Sequence, residues 1–110
     1  MANHPAAARD PEHRQLLSIT PRSGRLPGCA VLDVVGRVDR STVPLLQVCL
    51  QTQLGRADVQ ELIVDLRRVT EFSTAASDAL IRCHRLSRLR GIRLIVRPVR
   101  RPSLRGSQAG

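Results

Sequence analysis

Apolar positions recur along the chain in two rhythms. "QLLSIT" is a short apolar run ended by Pro21, and "PRSGRLPG" after it holds two glycines and two prolines, the composition of a connecting loop. "CAVLDVVGRVD" then supplies aliphatic and β-branched residues in a strand-like run. The two runs read as a hairpin whose second strand, near Ala30 to Val35, is central. From Ser41 to about Leu54 the rhythm becomes helical, with Val43, Leu46, Leu50 and Leu54 on one face at steps of three and four.

Asp39, Ser41 and Thr42 offer side-chain oxygens for an N-cap, and Pro44 is tolerated in a first turn, so this helix is predicted to start near Thr42. Gly55 closes it. "ELIVDL" gives a compact apolar strand with Asp65 near its end. From about Thr74 to Arg90 the helical pattern returns: Ala76, Ala79, Leu80, Cys83 and Leu86 share a face, and Arg82, Arg85, Arg88 and Arg90 lie largely outside it. Gly91 is a C-cap candidate, and "IRLIV" is a last strand before Pro98.

The order strand, strand, helix, strand, helix, strand predicts an α/β fold. Its four-stranded sheet is mostly parallel, with an antiparallel first strand and two main helices packed on it. The expected boundaries are a disordered N-terminal tail at 1–14, one domain at 15–97, and a basic flexible tail at 98–110 with no period for another helix.

Composition narrows the function. The 110 residues suffice for one core, and with one aromatic residue, Phe72, that core is aliphatic. A nucleic-acid surface of stacked bases is not expected, because such platforms use several exposed aromatics. The net charge of +9 comes from 18 arginines and no lysine. Such uniformity points to codon bias more than to one ligand. A positive surface still favours acidic proteins, nucleic acid or anionic lipid.

Catalytic constellations are missing. Cys29, Cys49 and Cys83 form no CxxC pair and read as buried reduced thiols. Cys83 and His84 diverge by about 100° on a helix, which does not suit a nucleophile and its base. His4, His13 and His84 lack ligand spacing, so neither a metal nor a cofactor is expected. No phosphate-cradling glycine motif occurs. The nine arginines from Arg82 to Arg105, with no acidic residue among them, read as a solvated helix face and tail, with nucleic-acid binding a minor alternative. With no signal-like segment and no apolar run of about 18 residues, a cytoplasmic protein is expected.

Two motifs, "GRVDRST" at Gly36 to Thr42 and "LIVDLRRVTEFSTAASDAL" at Leu62 to Leu80, resemble those of the STAS domain of the bacterial anti-anti-sigma factor family, as does the order of elements. The resemblance runs from about Leu16 to Val96. It implies a non-enzymatic interaction module that binds an anti-sigma factor with serine/threonine kinase activity and so frees a sigma factor. The resemblance further implies that phosphorylation of a hydroxyl at the second helix start turns binding off and that a phosphatase restores it. By this resemblance Thr74 stands at the phosphorylated serine, Ser73 at the usual aspartate, Ala75 at the next small residue, Ala76 at the glycine, and Asp39 and Asp65 at the acidic residues of the two motifs.

The implied docking surface comprises Asp39, Ser41, Thr42, Phe72, Ser73, Thr74, Ala75 and Ala76, with Ser73 as the alternative acceptor. The same letters also suit an ordinary capped helix start packed closely on the sheet. Other readings are a non-switching STAS scaffold and an accessory subunit of a lipid transporter.

Overall fold

The computed structural model describes residues 17–100. Strands β1 (Leu17–Ser23) and β2 (Cys29–Val38) lead to helix α1 (Val43–Leu54), strand β3 (Glu61–Phe72), helix α2 (Thr74–Leu89) and strand β4 (Arg93–Arg97). The sheet order is β1-β2-β3-β4, with β1 antiparallel to β2 and the other pairings parallel. This is the α/β architecture that the alternating rhythms predict. The tails expected at 1–14 and over most of 98–110 fall outside the described residues.

The core lies between one sheet face and the two helices. Leu32, Val34, Leu62 and Val64 from the strands meet Leu46, Leu50, Leu54, Ala76, Ala79 and Cys83 from the helices in one buried cluster. Small residues at Ala76 and Ala79 bring α2 close to the sheet, because a helix surface made of methyl groups lets the backbones approach. Leu80 and Leu86 pack against this cluster from partly buried positions, whereas Ser87, outside the expected apolar face, is buried and donates its hydroxyl to the His84 carbonyl at 2.7 Å.

Three details differ from the sequence reading. First, β1 runs through Pro21 to Ser23, with Pro21 in register with Leu32. It is an edge strand, where a residue lacking an N–H is tolerated. Second, β3 does not end at Leu66 but reaches Phe72. Between Asp33 and Val35 the β3 partners advance from Asp65 to Arg68, and between Gly36 and Arg37 from Val69 to Glu71. Each step inserts one extra β3 residue, so two bulges break the alternation that marks a strand in sequence. Third, only Cys83 of the three cysteines is buried, and burial pushes its thiol up to about 11. Cys29 and Cys49 are half-buried, with thiols raised by the same desolvation.

Candidate functional site

Both helices start at the end of the sheet where β2 and β3 finish. At the end of β2, Gly36 adopts φ 112°, a region closed to residues with a side chain, and its carbonyl accepts the Thr70 hydroxyl at 3.2 Å. Two residues after Arg37, Asp39 ties the turn into α1. Its Oδ1 accepts the Ser41 hydroxyl at 2.7 Å, the Ser41 N–H at 3.0 Å and the Thr42 N–H at 3.2 Å, and its carbonyl accepts the Val43 N–H at 2.8 Å. The Thr42 hydroxyl accepts the Asp39 N–H and donates to the Arg37 carbonyl, both at 2.9 Å. These donors, the Ser41 hydroxyl first, hold the Asp39 carboxyl below its usual range. Pro44 contributes no N–H, so the first turn of α1 is saturated from within.

The start of α2 is built differently. Ser73 is extended (φ −79°, ψ 171°), and its Oγ accepts the Ala76 N–H at 3.2 Å, the arrangement of an N-cap. The Ser77 N–H makes the first helical bond, to the Ser73 carbonyl at 3.1 Å. The N–H groups of Thr74 and Ala75 therefore have no partner among the described residues. Thr74 is exposed on the first turn, and that turn carries no acidic side chain. A hydroxyl so placed sits beside free amide donors and the positive end of the helix dipole, where an added anion is favoured.

The sheet joins the two starts. Val38 is in register with Phe72, and the Ser73 N–H donates to the Val38 carbonyl at 2.9 Å. Beside them Arg37 donates through Nε to Glu71 Oε1 at 3.2 Å, and its other arm lies 3.7 Å from Asp39 Oδ2. Arg37 and Glu71 were not among the residues expected from sequence. The signal for them is pairing across strands, which appears only once β3 is known to extend past Asp65.

The expected docking residues divide by exposure. Ser41 and Thr74 are exposed, Asp39, Phe72, Ser73 and Ala75 are half-buried, and Thr42 and Ala76 are buried. Thr42 and Ala76 therefore lie beneath the exposed residues at this end of the sheet. Phe72 and Ala75 rest against the core cluster. Asp65, the acidic residue of the second motif, lies away from this end, at the middle of β3. Arg67 binds it through Nε at 3.0 Å and NH2 at 2.8 Å and, as the largest cause, holds its carboxyl down to about 2.

Residues 21–105 match the STAS domain. The chain belongs to the STAS domain family. Among solved structures, an antisigma-factor antagonist STAS domain from Rhodobacter sphaeroides is similar in fold: TM-score 0.61, 14% identity, covering 74% of this chain and 86% of that one. An anti-sigma factor antagonist from Mycobacterium paratuberculosis gives 0.58, 23%, 74% and 69% in the same order. The Bacillus cell fate determinant SpoIIAA in its phosphorylated form gives 0.61, 15%, 80% and 78%. A comparison with curated proteins returns no match.

The STAS sheet and its two helices thus account for the geometry of both motifs. Among the described residues no group of three or more His, Cys, Asp or Glu side chains is placed to hold a metal ion, and no helix is long and apolar enough to cross a membrane.

Proposed function

We propose that this STAS domain is an anti-sigma factor antagonist, a non-enzymatic module that binds an anti-sigma factor with serine/threonine kinase activity and thereby frees a sigma factor. Its docking surface is the end of the sheet formed by Asp39, Ser41, Phe72 and the first turn of α2. Phosphorylation of Thr74 switches binding off, and a phosphatase restores it. The observation that carries this reading is the division of roles at the α2 start: Ser73 is engaged as the cap, which leaves Thr74 as the exposed hydroxyl. Ser73, the alternative acceptor, would have to release the Ala76 N–H to be modified.

Phosphorylation adds about −1.5 to −2 charges at pH 7. The free amides and helix dipole stabilise that charge in the isolated domain. At an interface the same charge brings repulsion and a desolvation penalty, so one modification favours the unbound state. The fold shared with anti-sigma factor antagonists, one of them solved in a phosphorylated form, supports the reading.

The test is incubation with candidate anti-sigma kinases and ATP, followed by mass spectrometry of the peptide around Phe72 and by partner-binding measurements. Phosphate is expected on Thr74, with at least a tenfold loss of partner affinity, and Thr74→Ala is expected to bind constitutively. Partner binding without modification of Thr74 or Ser73 would leave a non-switching scaffold. Absence of affinity for any anti-sigma factor would remove the proposal.

A further inference from the structure

The helices cover one face of the sheet. The other face carries a depression of about 590 Å3 at the end of the strands opposite Thr74. Its floor is apolar: Val31 and Ile63 sit side by side in register, with Ile95 next across β4, and Leu26 stands on the rim, 70% exposed. A second depression of about 340 Å3 shares Arg22, Asp65 and Arg67 with it and adds Asp33 and Arg100. Together they are of the size of ligand-binding sites, about 300 to 1,000 Å3.

The charges around this floor are unbalanced. Six arginines line the two depressions against three carboxylates. Two of those carboxylates are already neutralised: Arg22 Nε lies 2.6 Å from Asp33 Oδ2, and Arg67 NH2 lies 2.8 Å from Asp65 Oδ2. The third, Glu61, sits on the rim near Cys29. Arg25, Arg68, Arg97 and Arg100 make no salt bridge among the described residues. Guanidinium groups set around an apolar floor match carboxylates flanking an apolar side chain, each fork pairing bidentately with one carboxylate. The apolar floor favours such a peptide over a polyphosphate backbone, which has no apolar group to seat there.

We propose that this open sheet face is a second docking surface, which takes an acidic peptide segment of a protein partner with a large apolar side chain seated over Val31 and Ile63. Because it lies on the face of the sheet that the helices leave uncovered, with its apolar floor at the end of the strands away from Thr74, it is occupied independently of the surface at the α2 start. It also holds whether or not Thr74 is a phosphorylation site.

The experiment uses the full chain and a fluorescein-labelled peptide, Glu-Asp-Glu-Phe-Glu-Asp-Glu, read by fluorescence anisotropy. The double variant Arg25→Ala/Arg97→Ala is expected to weaken binding at least tenfold, and Arg25→Lys/Arg97→Lys to weaken it less. A peptide with Gly for Phe is expected to bind at least fivefold more weakly. Arg82→Ala/Arg85→Ala, exposed on α2 and away from the open face, is expected to stay within twofold. Equal losses from the two alanine double variants would overturn the proposal in favour of diffuse charge attraction. A dimer in sedimentation that Arg25→Ala/Arg97→Ala abolishes would give the face to a second copy, and a tenfold gain on deleting residues 101–110 would give it to the chain's own tail. Either result overturns the proposal as well.

Discussion

The two helices begin side by side at one end of the sheet, but their first turns dispose of polar groups in opposite ways. At α1 the Asp39 carboxylate and carbonyl take up every amide from Ser41 to Val43, and the buried Thr42 hydroxyl accepts the Asp39 N–H and satisfies the Arg37 carbonyl. At α2 one hydroxyl, that of Ser73, caps one amide, and the N–H groups of Thr74 and Ala75 stay open with an exposed hydroxyl above them. The first turn is a joint of the fold, and the second leaves a hydroxyl and two amides facing solvent. Three residue types common at helix starts, Asp, Ser and Thr, thus carry different meanings according to what else competes for the same donors.

Thr42→Val is the largest expected disturbance, because it leaves the Asp39 N–H and the Arg37 carbonyl without their partner in a buried setting. About 2 to 3 kcal/mol should be lost, seen in thermal denaturation as a fall of roughly 10 °C or more. A loss no greater than that of Thr74→Val would erase the distinction between the two starts.

A smaller effect is expected at the second start. Ser73→Ala removes one cap and should cost about 1 kcal/mol, while Ser73→Asp keeps a capping oxygen and should stay close to the parent. Thr74→Val touches no hydrogen bond of the fold and should remain within about 0.5 kcal/mol. Chemical denaturation midpoints of the three variants decide the order.

Acid gives the smallest expected difference and the sharpest spatial one. Asp39 and Asp65 have pKa values lowered by folding, so their stabilisation is present above the ordinary value of 3.8 and is lost as pH falls through their folded values, about 2 for Asp65. Between pH 4 and 2, amide hydrogen exchange, corrected for its intrinsic pH dependence, should therefore rise at Ser41 and Thr42 more than at Ala76 and Ser77. Asn in place of Asp39 should remove that contrast.

Much of this fold was readable in the chain because burial imposes period. The 3.6-residue rhythm of Val43, Leu46, Leu50 and Leu54 requires a helix with one covered side, and the run Leu62 to Leu66 requires a strand. Gly36, Asp39, Ser73 and Thr74 could be picked out because a backbone turn or a helix end restricts the residue types it accepts. The far half of β3 was hidden, since its two bulges place Arg67 and Arg68 outside together and return Val69 to the core. The open arginine face was hidden for another reason. Its members, Arg22, Arg25, Arg67, Arg68, Arg97 and Arg100, are spread over three strands and the connections beside them, and nothing local distinguishes them from other solvated arginines.

The sequence by itself determined the elements, their order and the residue types at both helix starts, because periodicity, capping and turn chemistry act over a few neighbouring residues. Only the tertiary structure decided which hydroxyl is free. Register placed Val38 beside Phe72, 34 positions away, and packing buried Thr42 while leaving Thr74 in solvent. Exposure and competition for donors depend on what the rest of the chain brings to the same place, and no local pattern carries that information.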